Sequence, residues 1–501
     1  MSVEPPASDG ASEKAAQVAA GSSIVLVGNL LNRGLRFVTS WALANLLPSA
    51  AVYGLYEAAR TLVTILASFA PLGTDKGVVY FGARQRAAGD EGALRGTIQT
   101  TFIVAAIGGP MVALLGGAAA WGLGWEPVFL WMMPAVAVWS VLLAAVGTLR
   151  GLKDMRGQSL AYLVVLPLGM FASALLPLAG FGVEAVAGGF VAANVLALLV
   201  ALPLVWRQVR HLKAPVVRSV GPLLRYSIPE SFSSTLFRVN QWADTLMVWL
   251  IAGTADVGLY RAAVTLAMIG EVPAVAVNTM FQPVVAEMVQ ENNPEQLRRV
   301  VRIVTRWMVM LAAPIYLGIY VGIEVVLSAW KPEYASSADA LAILLWGQAA
   351  YVLAVPVTAL IPMSGRARLN LLNAGGAAGL NVALNAVMIP LWGIEGAATA
   401  TGITLALWSA WRMVQVHMLM GVQAFGLRAI GLTVLFVALG LGAREATADA
   451  ELMVQAAATG VSVLVFLVAA FAFGRTPGDA VVLDRVTAKL KRKLGLKRVE
   501  S

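Results

Sequence analysis

The stretch Gly54-Leu55-Tyr56-Glu57-Ala58-Ala59-Arg60-Thr61-Leu62 returns 204 positions later as Gly258-Leu259-Tyr260-Arg261-Ala262-Ala263-Val264-Thr265-Leu266, with seven of nine residues unchanged. Two further echoes keep the order: Arg95 corresponds to Arg298 with one residue lost, and Gly182-Val183-Glu184-Ala185 resembles Gly393-Ile394-Glu395-Gly396. The chain therefore reads as a duplication in which each copy holds six apolar segments. Six is even, so both copies face the same way, related by a pseudo-twofold axis along the membrane normal.

Composition places that duplication in lipid. Of 501 residues, 59% are hydrophobic and 13% charged, about half the roughly 25% charge of a soluble domain. Apolar runs of about 20 residues, each long enough as a helix to cross the hydrocarbon layer, recur along the chain. The fold class is all-α and polytopic, because helices satisfy their own backbone hydrogen bonds in lipid. About 14 transmembrane helices are predicted, near residues 21–47, 53–81, 97–121, 128–150, 158–179, 184–205, 226–252, 256–286, 300–326, 337–362, 368–391, 394–419, 428–443 and 452–473. The thirteenth is short and is open to a re-entrant reading.

The organisation that follows is a disordered tail over 1–20, an N-lobe over 21–206, a basic linker over 207–225, a C-lobe over 226–420, two extra helices over 421–474, and a basic tail over 475–501. The net charge of +9 raises nucleic acid as a partner, but its placement argues against one. Cations gather in alternate connections: Arg84, Arg86 and Arg95; Arg150, Lys153 and Arg156; Arg207, Arg210, Lys213 and Arg218; Arg298 and Arg299; Arg366. The opposite connections offer Lys331 and Arg444. By the positive-inside rule both termini are cytoplasmic, in the cytoplasmic membrane. The tail interleaves Lys489, Arg492 and Lys493 with Val486, Leu490 and Leu494, a pattern expected to lie on anionic lipids.

Polar residues inside the greasy segments are the candidate working parts. Asn29, Arg33, Arg36 and Ser40 share one stripe of the first helix. An arginine at membrane depth costs at least about 2.5–3.5 kcal/mol, so Arg36, about mid-span, is expected to face a polar cavity and to bind anions, while Arg33 reads equally as part of that site or as snorkelling near the cytoplasmic mouth. Two readings stand for Arg60: an i,i+3 pair with Glu57, or one wall of a basic cavity shared with Arg261. The second is favoured because the repeat keeps an arginine on the equivalent face, with no acid beside Arg261 in the sequence. Asp244 stands where the repeat would place a partner of Ser40, near Arg238, Asn240 and Gln241. It either balances Arg238 or responds to a cation. Asn381, Asn385 and Thr401 add oxygen donors to that lobe and are read either as helix-to-helix hydrogen bonding or as part of a sodium site.

Several classes find no support. There is no cysteine, no phosphate-binding Gly-x-x-x-x-Gly-Lys loop, and only His211 and His417 as histidines. Metal clusters, direct ATP use and a nucleophile–base pair are accordingly not expected, and the chain is read as a non-enzyme without a cofactor, apart from coupling to Na+ or H+.

Tyr226-Ser-Ile-Pro229 followed by Asp244, the two Gly-Leu-Tyr phrases, and the run Asn381-Val-Ala-Leu-Asn385-Ala-Val-Met-Ile-Pro390-Leu-Trp-Gly393-Ile-Glu-Gly396-Ala-Ala-Thr-Ala-Thr401 carry a resemblance. Over roughly residues 20 to 475 the chain resembles the polysaccharide transporter or O-antigen flippase family of the multidrug/oligosaccharidyl-lipid/polysaccharide exporter superfamily. The resemblance implies two six-helix lobes in a V, two extra helices, and alternating exposure of a central cavity. It implies a polyprenyl-pyrophosphate-linked oligosaccharide as substrate, with a polysaccharide polymerase or glycosyltransferases as partners. Relatives that flip peptidoglycan precursors carry functional arginines on the first, second and eighth helices, which by position resemble Arg33 or Arg36, Arg60 and Arg261. Their sodium site resembles Asp244, Asn381, Asn385 and Thr401, although a carboxylate expected on the eleventh helix is Asn385 here. The alternative on the same fold is a cation-coupled drug or metabolite exporter leaning on Asp244 and Glu230.

Overall fold

The computed structural model describes residues 9–275, 277, 294–358, 360–363 and 366–474. It is 88% helical, with no strand among the described residues. That is the outcome required of a chain too apolar to leave backbone polar groups for water. The tail at 475–501 and its expected lipid contact lie outside the described residues. At the other end the first helix runs Asp9–Leu46, beginning inside the stretch expected to be disordered.

Nine helices among the described residues are long and apolar enough to cross a membrane, or ten if the bent pair Ala50–Phe69 and Thr74–Ala87 is one span. The chain is a multi-span membrane protein, but length and apolarity alone do not deliver the expected fourteen. Helices that fall short carry charge: Asp9–Leu46 holds Arg33 and Arg36, and Val220–Ile251 holds Arg225, Glu230, Arg238 and Asp244. The expected thirteenth helix is Leu427–Ala446, 20 residues long, which meets the length for crossing.

Local chemistry sets the breaks. Ser49 caps Ala50–Phe69 by accepting from the Val52 amide, and Asp90 caps Glu91–Gly122 by accepting from that of Ala93. Between Phe69 and Thr74 the chain passes through positive φ at Leu72 and Gly73 and bends by 42°. The eleventh and twelfth predicted helices lie within Ala367–Met420 and are separated at Gly393, whose φ of 56° and ψ of −129° are not helical. A Cβ on Gly396 would lie 2.0 Å from the Met388 carbonyl oxygen. In a straight helix those residues stand about 12 Å apart, so the chain doubles back at Gly393. Only glycine enters that backbone region readily.

The chain falls into two compact units. The first comprises Met1–Leu266, Leu327–Leu344 and Arg368–Thr404; the second comprises Ala267–Val326, Leu345–Ala367 and Leu405–Ser501. In the first, Pro134–Gly151 packs against both Glu91–Gly122 and Val183–Val209 through fully buried alanines such as Ala144, Ala145 and Ala197. In the second, the last two helices, Leu427–Ala446 and Leu452–Gly474, pack on Pro294–Val321 and on each other. Trp346 joins Tyr320 at 5.0 Å to Phe436 at 5.3 Å between ring centroids.

Candidate functional site

The two copies of the repeated phrase meet inside the first unit. A Cβ on Gly54 would lie 1.8 Å from the Thr254 carbonyl oxygen, and one on Gly258 would lie 2.0 Å from that of Ala50. The two contacts interchange under the 204-residue shift, which is the signature of a self-complementary twofold contact. Glycine at both positions lets Ala50–Phe69 and Thr254–Ala267 cross backbone to backbone, as small residues do in membrane helices.

One turn further along, the next equivalent pair is Glu57 and Arg261, and these also touch. Arg261 Nε donates to Glu57 Oε2 at 3.2 Å. Arg60 grips the same carboxylate with two bonds, Nε to Oε1 at 3.1 Å and Nη2 to Oε2 at 2.5 Å. The i,i+3 pair therefore forms, and Arg261, with no acid beside it in the sequence, takes its acid from the other copy. Both guanidinium groups also stack on Trp242, at 5.0 Å from its ring for Arg60 and 4.7 Å for Arg261. Glu57 is 3% and Arg261 5% exposed. Charges so deeply buried persist only when paired, and here one carboxylate and one indole serve two cations.

Arg36 lies within Coulombic reach of Arg60, Glu57 and Arg261, yet its side chain is exposed and it forms no ion pair among the described residues. Three guanidinium groups outnumber the carboxylate of Glu57, so the cluster is net cationic. Arg33 and Asn29 are half-buried on the same helix. Ser40 reaches Tyr53 at 2.5 Å and Thr265 at 3.1 Å, linking the first helix to both copies. A π-helical turn at Ser159–Val165 packs on the first helix and brings Tyr162 within reach of Arg36.

Asp244 heads a second polar chain and lies within Coulombic reach of Arg261. It accepts from the Tyr260 hydroxyl and from the Thr245 amide, each at 2.7 Å, and forms no pair with Arg238 among the described residues. Tyr260 continues to Thr401 at 3.4 Å, Asn381 donates to Thr401 at 3.3 Å, and Asn385 donates to the Asn381 side-chain oxygen at 3.0 Å. The Asn385 side-chain oxygen is buried without a hydrogen-bond partner. Arg238 is half-buried and Gln241 exposed; the Asn240 side chain lies outside those described.

The sequence pairs Glu57 with Arg60 and sets Arg60 opposite Arg261, but it does not signal the contact of Glu57 with Arg261, nor Trp242, Tyr162 and the hydroxyl of Tyr260. The periodicity of Arg238 and Trp242 on one helix face was available, but an indole among apolar residues reads as packing until its cations are in place.

A family model described as polysaccharide biosynthesis protein matches residues 18–289, and a second, MatE, matches residues 229–387. No curated protein matches the chain. Among solved structures it is similar to an inward-facing multidrug resistance MATE family transporter of the MOP superfamily, at 15% identity over 77% of this chain and 94% of that one, with a TM-score of 0.64. It is similar to the lipid II flippase MurJ in an inward closed conformation, at 11% identity over 89% and 98%, with a TM-score of 0.68. A MOP superfamily transporter from Pyrococcus furiosus whose binding pocket has reverse polarity matches at 15% identity over 81% and 95%, with a TM-score of 0.57. At these identities the likeness shows a shared fold.

Proposed function

The chain belongs to the polysaccharide biosynthesis protein family, and from that premise we propose that it is a flippase. It carries a polyprenyl-pyrophosphate-linked oligosaccharide across the cytoplasmic membrane by alternating access, both termini lying in the cytoplasm. The observation that carries this reading is the Glu57, Arg60 and Arg261 cluster with Arg36 in reach. Its net positive charge suits an anionic pyrophosphate diester. Guanidinium groups bind phosphate oxygens in the same forked geometry that Arg60 already uses on Glu57. Substrate phosphate would share Arg60 and Arg261 with Glu57, so that neither the buried guanidinium groups nor the carboxylate is left unpaired. Arg33, Asn29, Arg238, Asn240 and Gln241 would line the path of the head group.

A second reading concerns coupling, and the polar chain from Asp244 to Asn385 favours it. Asp244, Thr401, Asn381 and Asn385 offer oxygens, the donor type that hard cations take, and the unpartnered Asn385 oxygen is open to such a ligand. Bound there, Na+ would neutralise Asp244. A cation-coupled drug or metabolite exporter would use the same residues without needing the arginines.

Deletion of the gene with analysis of membrane lipids separates the two readings. The flippase reading expects lipid-linked sugar to accumulate facing the cytoplasm. Unchanged lipids with altered drug efflux would replace it by the exporter.

A further inference from the structure

A groove of about 1010 Å³ lies in the first unit, away from the charge cluster, between Glu91–Gly122 and Val183–Val209. Its walls are apolar: Phe102 and Ile103 on one side, Leu199 and Leu202 on the other, with Trp206 near one end. That end is rimmed by Arg95, Arg210 and Arg218. The rim is held in place. The Val217 amide donates to the Gly92 carbonyl at 3.0 Å, Arg95 donates to the Ala214 carbonyl at 2.5 Å, and a Cβ on Gly96 would lie 2.0 Å from the Val217 carbonyl oxygen. The linker is thus pressed onto the helix, and Arg218 reaches back to Gln99 at 3.4 Å.

Two features specify an occupant. None of the three guanidinium groups forms an ion pair among the described residues, so a cationic rim faces a bilayer end uncompensated. Below it the apolar wall from Arg95 to Ile103 runs about 12 Å along its helix, and Ile103, Leu199 and Trp206 remain 43%, 61% and 69% exposed. A cationic rim over an apolar slot within bilayer-crossing helices matches a phosphate head above an acyl chain, with Trp206 at the interface level that indoles prefer. We propose that this groove is a binding site for one anionic phospholipid, taken from the leaflet at that end of the bundle, the cytoplasmic one on the orientation given above. The site is independent of the flippase reading.

The test is native mass spectrometry of the full chain released from nanodiscs containing equal phosphatidylglycerol and phosphatidylcholine. Each basic side chain near the surface strengthens anionic lipid binding about fivefold, so three together give a preference on the order of a hundredfold. The wild-type chain should retain phosphatidylglycerol selectively, and the R95Q/R210Q/R218Q variant should lose that selectivity. R218Q alone, at an exposed residue, should lower it about fivefold and guards against misfolding of the triple variant. Leu199→Trp, which fills the slot, should also release the lipid. Equal retention of both lipids by the wild-type chain, a triple variant as selective as the wild type, or a retained polypeptide instead of a lipid would overturn the proposal.

Discussion

Glu57 is the only acid bonded to Arg60 and Arg261 among the described residues, and all three are largely buried. Removing one partner from such a cluster leaves uncompensated charge, typically at about 3–5 kcal/mol. Glu57→Gln is therefore expected to lower the melting temperature in detergent or nanodiscs by more than any single change at Arg36, whose side chain is exposed. Adding R261M should recover part of the loss, since one of the two orphaned cations is then gone. A double variant no more stable than E57Q alone would mean that Glu57 and Arg261 are not energetically coupled. The chemistry of these residues was legible in the sequence as buried charge. Their meeting was not: Glu57 and Arg261 are 204 residues apart, and only their equivalence in the repeat hinted that a twofold axis would place them side by side.

At the scale of elements, the decisive contact is the crossing of Ala50–Phe69 with Thr254–Ala267. Its obstacles to a side chain are backbone atoms, at 1.8 Å for Gly54 and 2.0 Å for Gly258, so a larger residue must push the helices apart. Gly54→Leu and Gly258→Leu are each expected to destabilise the protein, and to similar extents because the contact is symmetric; thermal melts of the two variants check this. A loss confined to one of them would contradict the pseudo-twofold geometry. Helix positions were readable from apolar run lengths, and the two Gly-Leu-Tyr phrases already marked the crossing. What run lengths miss is geometry set by single backbone positions. The turn between the eleventh and twelfth helices is Gly393 itself, and the second predicted span is divided by the bend at Leu72 and Gly73. Charged helices such as Asp9–Leu46 are less apolar because Asn29, Arg33 and Arg36 interrupt their apolar residues.

For the whole molecule, fold and family are the firm ground, and substrate is the claim to be tested. The same fold is shared with a multidrug transporter and a lipid II flippase, so fold alone does not choose a cargo. The choice rests on the arginines contributed by both copies of the repeat. If cation coupling operates through Asp244, then Asp244→Asn should abolish any dependence of transport on an Na+ or H+ gradient while leaving substrate binding in place. Transport that stays gradient-driven in that variant would remove Asp244 from coupling.

The most direct measurement is flipping itself. Proteoliposomes loaded with a fluorescent polyprenyl-pyrophosphate oligosaccharide should show wild-type chain making the lipid accessible to an external sugar-modifying reagent. The R36A/R60A/R261A variant, reconstituted to the same level and orientation, should show no transfer above protein-free vesicles. Transfer by that variant at the wild-type rate would contradict the account.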